Sequence, residues 1–222
     1  MEAYQPDVVV VRGWGDHQLP ASSGSSSVIG FGHQGRCELT VVTHRGHTLA
    51  PADVPPAPWP TMAALEVAGP RPIRLVAVLA SRRPPPPVHP VVAAVSAWSS
   101  WLRAPGPPVV VAGDLDIGAG WDEPTPTSEH RAVVDALASL GLVSALHHLR
   151  DDQGASTTRP TVRLHGHQRT PHHVDHVFAP ASAMRSVLFE PWGNSYQVED
   201  LSDLGPLVVD LDWTVSLIRD AH

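Results

Sequence analysis

Two aspartates, Asp114 and Asp116, close the stretch VVVAGDLD (109–116), where a run of β-branched residues ends in a glycine. With one residue between them, both can point the same way off a strand end. Such a pair usually holds a metal ion or activates a water. Two further carboxylates stand beside apolar runs: Asp175 in HHVDHVFAP (172–180) and Asp203 in LSDLGPLVVDL (201–211). Carboxylates at strand ends can converge on a hard cation such as Mg²⁺, which prefers oxygen ligands. That cation would polarise a phosphoryl oxygen and lower the pKa of a bound water. The same aspartates also have a plainer reading, as turn and cap residues without chemistry.

Histidines supply a second cluster: His165, His167, His172, His173 and His176. Imidazole suits zinc, copper or nickel. On an extended strand, however, His172 and His176 share one face with Val174, and His173 shares the other with Asp175. Trp98 and Trp101, three apart, read as helix core rather than as a ligand platform. The proline run in RRPPPPVHP (82–90) favours polyproline II and reads as a linker.

The elements that must position these residues follow from apolar periodicity. Strands are predicted over 7–11, 26–32, 37–44, 73–81, 108–114, 172–180, 185–192 and 206–213, with helices over 91–102 and 128–142. For the second helix, Thr127 or Ser128 is the expected cap and Gly141 the stop. The Pro-rich segment 51–60 is expected to run extended over the surface. Strands outnumber helices, and the helices fall between them. That pattern predicts a mixed α/β layered fold, with no repeat and no domain boundary, hence one domain over 1–222.

Composition narrows the function. The chain has 222 residues and a formal charge of −7, and all 15 of its basic residues are arginine. An acidic balance argues against a strong duplex nucleic-acid footprint, which needs basic surface, although a local arginine can still grip one phosphate. The single cysteine, Cys37, excludes an internal disulfide and a multi-cysteine zinc site. The start MEAYQPDVVVV lacks the form of a secretory signal, and no apolar run approaches a membrane span. A cytoplasmic protein is expected, with no membrane partner.

Taken in order, YQPDVVVVRGW, IRLVAVLAS, VVVAGDLD, EHRAVVDALASLGLVSALHH, RPT, HHVDHVFAP and LSDLGPLVVDL resemble the endonuclease/exonuclease/phosphatase superfamily. The resemblance covers nearly the whole chain and lies in the ordered set, since GDxD alone is weak. It implies a two-sheet α/β sandwich flanked by helices, the deoxyribonuclease-like four-layer fold. It also implies Mg²⁺- or Mn²⁺-dependent cleavage of a phosphate-ester substrate. By position, Asp114 and Asp116 would hold the attacking water and the phosphate. Asp203, with Asp114, would be a metal ligand. Asp175 would orient a histidine that works on the phosphate, and His173 would contact substrate.

The chain departs from the pattern where chemistry depends on it. The metal-binding glutamate falls on Gly13, preceded by Arg12, and the asparagine of GDxN falls on Asp116. The histidine after Asp203 is Leu204, and a middle-strand histidine falls on Leu79. A first strand bearing an asparagine would precede Met1, and Asn194 is the only asparagine in the chain. Gly13 removes an oxygen ligand, and Leu204 removes a proton-transfer group. The residues therefore predict weak or lost hydrolysis, the alternative being a catalytically dead relative that works as a binding or regulatory module.

Overall fold

Residue 73 opens the strand around which the molecule is layered: Ile73–Leu79 is buried along its whole length, as a strand apolar at every position but Arg74 demands at the centre of a sheet. The computed structural model describes residues 6–12, 27–32, 37–80, 88–115, 129–149, 175–189 and 207–213. In chain order its strands are β1 (Val8–Arg12), β2 (Val28–Phe31), β3 (Leu39–Thr43), β4 (Thr48–Pro51), β5 (Met62–Ala68), β6 (Ile73–Leu79), β7 (Val109–Asp114), β8 (Leu142–Ser144), β9 (Asp175–Pro180), β10 (Met184–Phe189) and β11 (Leu207–Leu211). The helices are α1 (Pro90–Ala97), α2 (Ser99–Arg103), α3 (Glu129–Ala138) and α4 (Ala145–Leu149).

One sheet has six strands in the order β4-β5-β6-β7-β9-β8. Within it β6 and β7 run parallel, joined by the crossover that contains α1 and α2, and the other pairs are antiparallel. The remaining strands form a three-stranded sheet, β1-β3-β2, and a β10-β11 ribbon. The period of two along β6 divides the core. Val76 and Val78 face Val91, Ala94, Trp98 and Leu102 of the α1–α2 segment and Val133 and Leu137 of α3. Leu75, Ala77 and Leu79 face the other way, toward Leu39 and Val41 of β3 and Met184 of β10. Val8 and Val10 of β1 and Val209 and Leu211 of β11 pack on that same face. The result is a layer of helices on a sheet that is itself stacked on strands, the mixed α/β arrangement expected from the sequence.

Most predicted strands recur within a few residues of their expected ends. The helix expected over 91–102 is instead two helices that meet at Trp98 (φ −104°, ψ 15°). Its apolar stripe, Val91, Ala94, Trp98 and Leu102, still runs unbroken across the join. Trp98 is core, as expected, and its indole N–H donates to the Pro55 carbonyl at 2.9 Å, pinning the Pro-rich segment to the helix layer. Gly141, with φ 76°, follows α3 in the left-handed conformation that favours glycine after a helix. The expected caps of α3, Thr127 and Ser128, lie outside the described residues.

Sequence periodicity did not predict β4, β5 or β8. MAALEVA in β5 is rich in good helix formers, yet it pairs antiparallel with β6 along Met62–Val67 and is buried on both faces over Met62–Leu65. Tertiary pairing overrides that local preference. Arg74, on β6, is buried beneath Trp101 and donates to the carbonyls of Pro107 and Trp101. Its burial lowers its pKa from the usual arginine range, against a raising pull from Glu66.

Candidate functional site

The backbone at the end of β7 explains why a glycine must precede Asp114. Gly113 has φ 133°, and a Cβ there would lie 2.0 Å from the Val78 carbonyl oxygen of β6. No side chain fits that approach, so only glycine lets β7 run this close to β6. Beyond it, the Ala80 amide donates to the Asp114 carbonyl at 2.7 Å, and Thr61 Oγ1 donates to the Leu79 carbonyl at 2.5 Å. The ends of β6 and β7 are thereby tied together where Asp114 projects.

Register then decides what stands beside it. Asp114 pairs with Leu79 on one side and with Asp175 on the other. Residues directly paired across strands share a face, with Cβ atoms about 5 Å apart. Ala112 and Val177, two residues along each strand and so on the same face, pack in the core between the sheets. Asp114 and Asp175 therefore face the gap between the sheets. Asp114 is 7% exposed, and Asp175 is half-buried. Adjacent carboxylates repel, so such a row calls for a cation.

Arg12 supplies one. Val8 and Val10 of β1 point into the core between the sheets, and the period of two places Arg12 in the same row. From there its Nη1 reaches across to Asp114 Oδ2 at 2.9 Å, while 54% of its side chain stays exposed. A charge-assisted bond of this length is among the stronger side-chain contacts. Sequence reasoning named Arg12 only as the neighbour of Gly13. The available signal was parity: a charged residue ending a strand at an inward-facing position.

His89 was missed entirely. It is buried, and its Nδ1 accepts from the Val91 amide, which caps α1, with Pro90 at the first helical position. That acceptor role leaves the proton on Nε2, which donates to the Leu115 carbonyl at 3.0 Å. One imidazole thus joins the start of α1 to the residue that follows Asp114. The signal was a polar residue before proline at a helix start, although histidine is not among the usual caps.

The structure brings together Asp114 and Asp175 from the predicted site. Asp116, His173 and Asp203 lie outside the described residues, as do Gly13 and Leu204. Of the histidine cluster only His176 is described. It is 2% exposed and lies on the opposite face from Asp175, opposite Gly113 and against the Phe178 ring. A six-coordinate Mg²⁺ needs several oxygen ligands in near-octahedral order. The described residues do not fit it: they offer two carboxylates, one already bonded to an arginine. Among them, no group of three or more His, Cys, Asp or Glu is placed to hold a metal. Nor is any described helix long and apolar enough to cross a membrane.

This stack of a six-stranded mixed sheet on a second set of strands, with helices outside, is the fold of endonuclease/exonuclease/phosphatase structures. One such structure is the Neisseria 3' phosphatase NExo bound to product DNA hairpin, with a TM-score of 0.64 and 16% identity over 94% of this chain and 90% of that one. An AP endonuclease from Archaeoglobus fulgidus is similar with a TM-score of 0.64 and 14% identity, again over 94% and 90%. An endonuclease/exonuclease/phosphatase family protein from Leptotrichia buccalis gives a TM-score of 0.57 and 10% identity, over 93% and 88%. No protein-family model and no curated protein matches the chain. The likeness is therefore one of fold, carried by backbone arrangement rather than by sequence.

Proposed function

We propose that the chain is a divergent member of the divalent-metal-dependent phosphoesterase and nuclease superfamily, one domain over 1–222, whose hydrolysis is weak or lost. The observation that carries this reading is the 2.9 Å ion pair between Arg12 and Asp114. In a working phosphoesterase of this pattern the carboxylate at 114 must be open to water, phosphate or metal. Here it is buried and bonded to a guanidinium. The substitutions at Gly13, Asp116 and Leu204 act in the same direction. Mg²⁺ or Mn²⁺ as the metal, Asp203 as its further ligand, His173 as a substrate contact and a cytoplasmic location belong to this reading. So does a phosphate ester as the substrate class. A binding or regulatory module that keeps the fold without turnover is the second form of the same proposal, and the Arg12–Asp114 ion pair favours it.

The test is hydrolysis of a generic phosphodiester by the unmodified chain and by Asp114→Ala, with Mg²⁺ or Mn²⁺ present. The expected result is turnover far below the typical enzyme rate of about ten per second, changed little by Asp114→Ala. A typical rate that Asp114→Ala abolishes would overturn the proposal.

A further inference from the structure

The Asp114 end of the sandwich carries a cation of its own. Arg12 lies in the inward row of β1 and crosses to Asp114 instead of turning wholly to solvent. Asp175 stands directly opposite Asp114 in register. We infer that the Arg12 guanidinium takes the place of a divalent cation at this site and excludes one from Asp114. The inference deepens the reading above, and rests on it in taking the Asp114 end as the site.

The physical argument is competition. A guanidinium stays charged at any ordinary pH, so pH does not clear it from the carboxylate. A metal ion that binds Asp114 must break a charge-assisted bond already made. Mg²⁺ must also shed water, which it does reluctantly. In return it gains, among the described residues, two carboxylates, one of them bonded to Arg12. If the charge on residue 12 is removed, the balance reverses. Asp114 and Asp175 are then neighbouring carboxylates without that counter-charge, an arrangement that favours a hard cation. The charge at residue 12, on the sheet facing the two aspartates, thus weighs directly against a metal at Asp114.

The probe is Mn²⁺ alone, with free Mn²⁺ measured by electron paramagnetic resonance in titrations of the unmodified chain, Arg12→Gln, Arg12→Lys and the double variant Arg12→Gln/Asp114→Asn. Glutamine keeps an N–H donor for Asp114 but carries no charge, and lysine keeps the charge. The expected result is Mn²⁺ binding on the order of tenfold or more tighter in Arg12→Gln than in the unmodified chain. Arg12→Lys should not show the gain, and Asp114→Asn should abolish it. In the same series Mn²⁺ should raise the Tm of Arg12→Gln and leave that of the unmodified chain unchanged. No gain in Arg12→Gln, or a gain that survives Asp114→Asn, would overturn the inference. If Arg12→Gln does not fold, the unmodified chain decides against Asp114→Asn. A micromolar Mn²⁺ site lost in Asp114→Asn overturns the inference, and no Asp114-dependent site supports it. Metal binding is read here without turnover, so this test and the hydrolysis test can fail separately.

Discussion

Gly113 shows how much one residue without a side chain can decide. Its backbone sits at φ 133° with the Val78 carbonyl where a Cβ would go, and the next residue is Asp114. In Gly113→Ala, either β7 must move away from β6 or Asp114 must leave its row. The expected cost is about 3 kcal/mol or more, since positive-φ strain and a backbone clash combine. Urea denaturation followed by circular dichroism measures it, and a loss below about 1 kcal/mol would show that the strands adjust freely. Asp114 itself was evident in the sequence as a candidate, because a carboxylate after an apolar run and a glycine is a local pattern. Its partner was not. Arg12 is 102 positions away, and only the stacking of two sheets brings it within 2.9 Å.

At the scale of elements, α1 and the end of β7 depend on each other through His89. Removing the imidazole leaves the α1 amide of Val91 uncapped and takes a donor from the Leu115 carbonyl. His89→Ala is expected to cost about 2 kcal/mol, from a lost cap and a lost buried hydrogen bond together. That would lower Tm by roughly 4–8 °C for a chain of this size. His89→Asn should recover only part of the loss, because a shorter side chain can cap the helix but not reach Leu115. Full recovery by asparagine in a thermal melt would mean that the Leu115 contact contributes nothing. β5 makes the converse point. MAALEVA has no alternation and favours helix, and it becomes a strand because β4 and β6 flank it.

For the whole molecule, the formal charge of −7 predicts contact behaviour that the fold does not. The fold is shared with a structure bound to a DNA hairpin, yet non-specific duplex binding grows with the number of phosphates neutralised by basic residues. The chain is expected to bind a short duplex no more tightly than about 100 µM at physiological salt. Fluorescence anisotropy checks this, and micromolar, salt-dependent binding would show that arginines are concentrated on one face.

The sequence by itself marked most of the strands, though not β4, β5 or β8, and, through the order of motifs, the layered α/β sandwich. Strand periodicity and the glycine before Asp114 are local properties, written in neighbouring residues. It also marked Asp114 and Asp175 as candidates, because carboxylates beside apolar runs stand out locally. Only the tertiary structure decided that these two are cross-strand neighbours, since register is set by pairing and not by either strand alone. It alone decided that His176 belongs to the helix-side core. And it alone placed a guanidinium from the opposite sheet on Asp114: the contact joins residues 102 positions apart on facing sheets, and no local pattern in either strand encodes the distance between them.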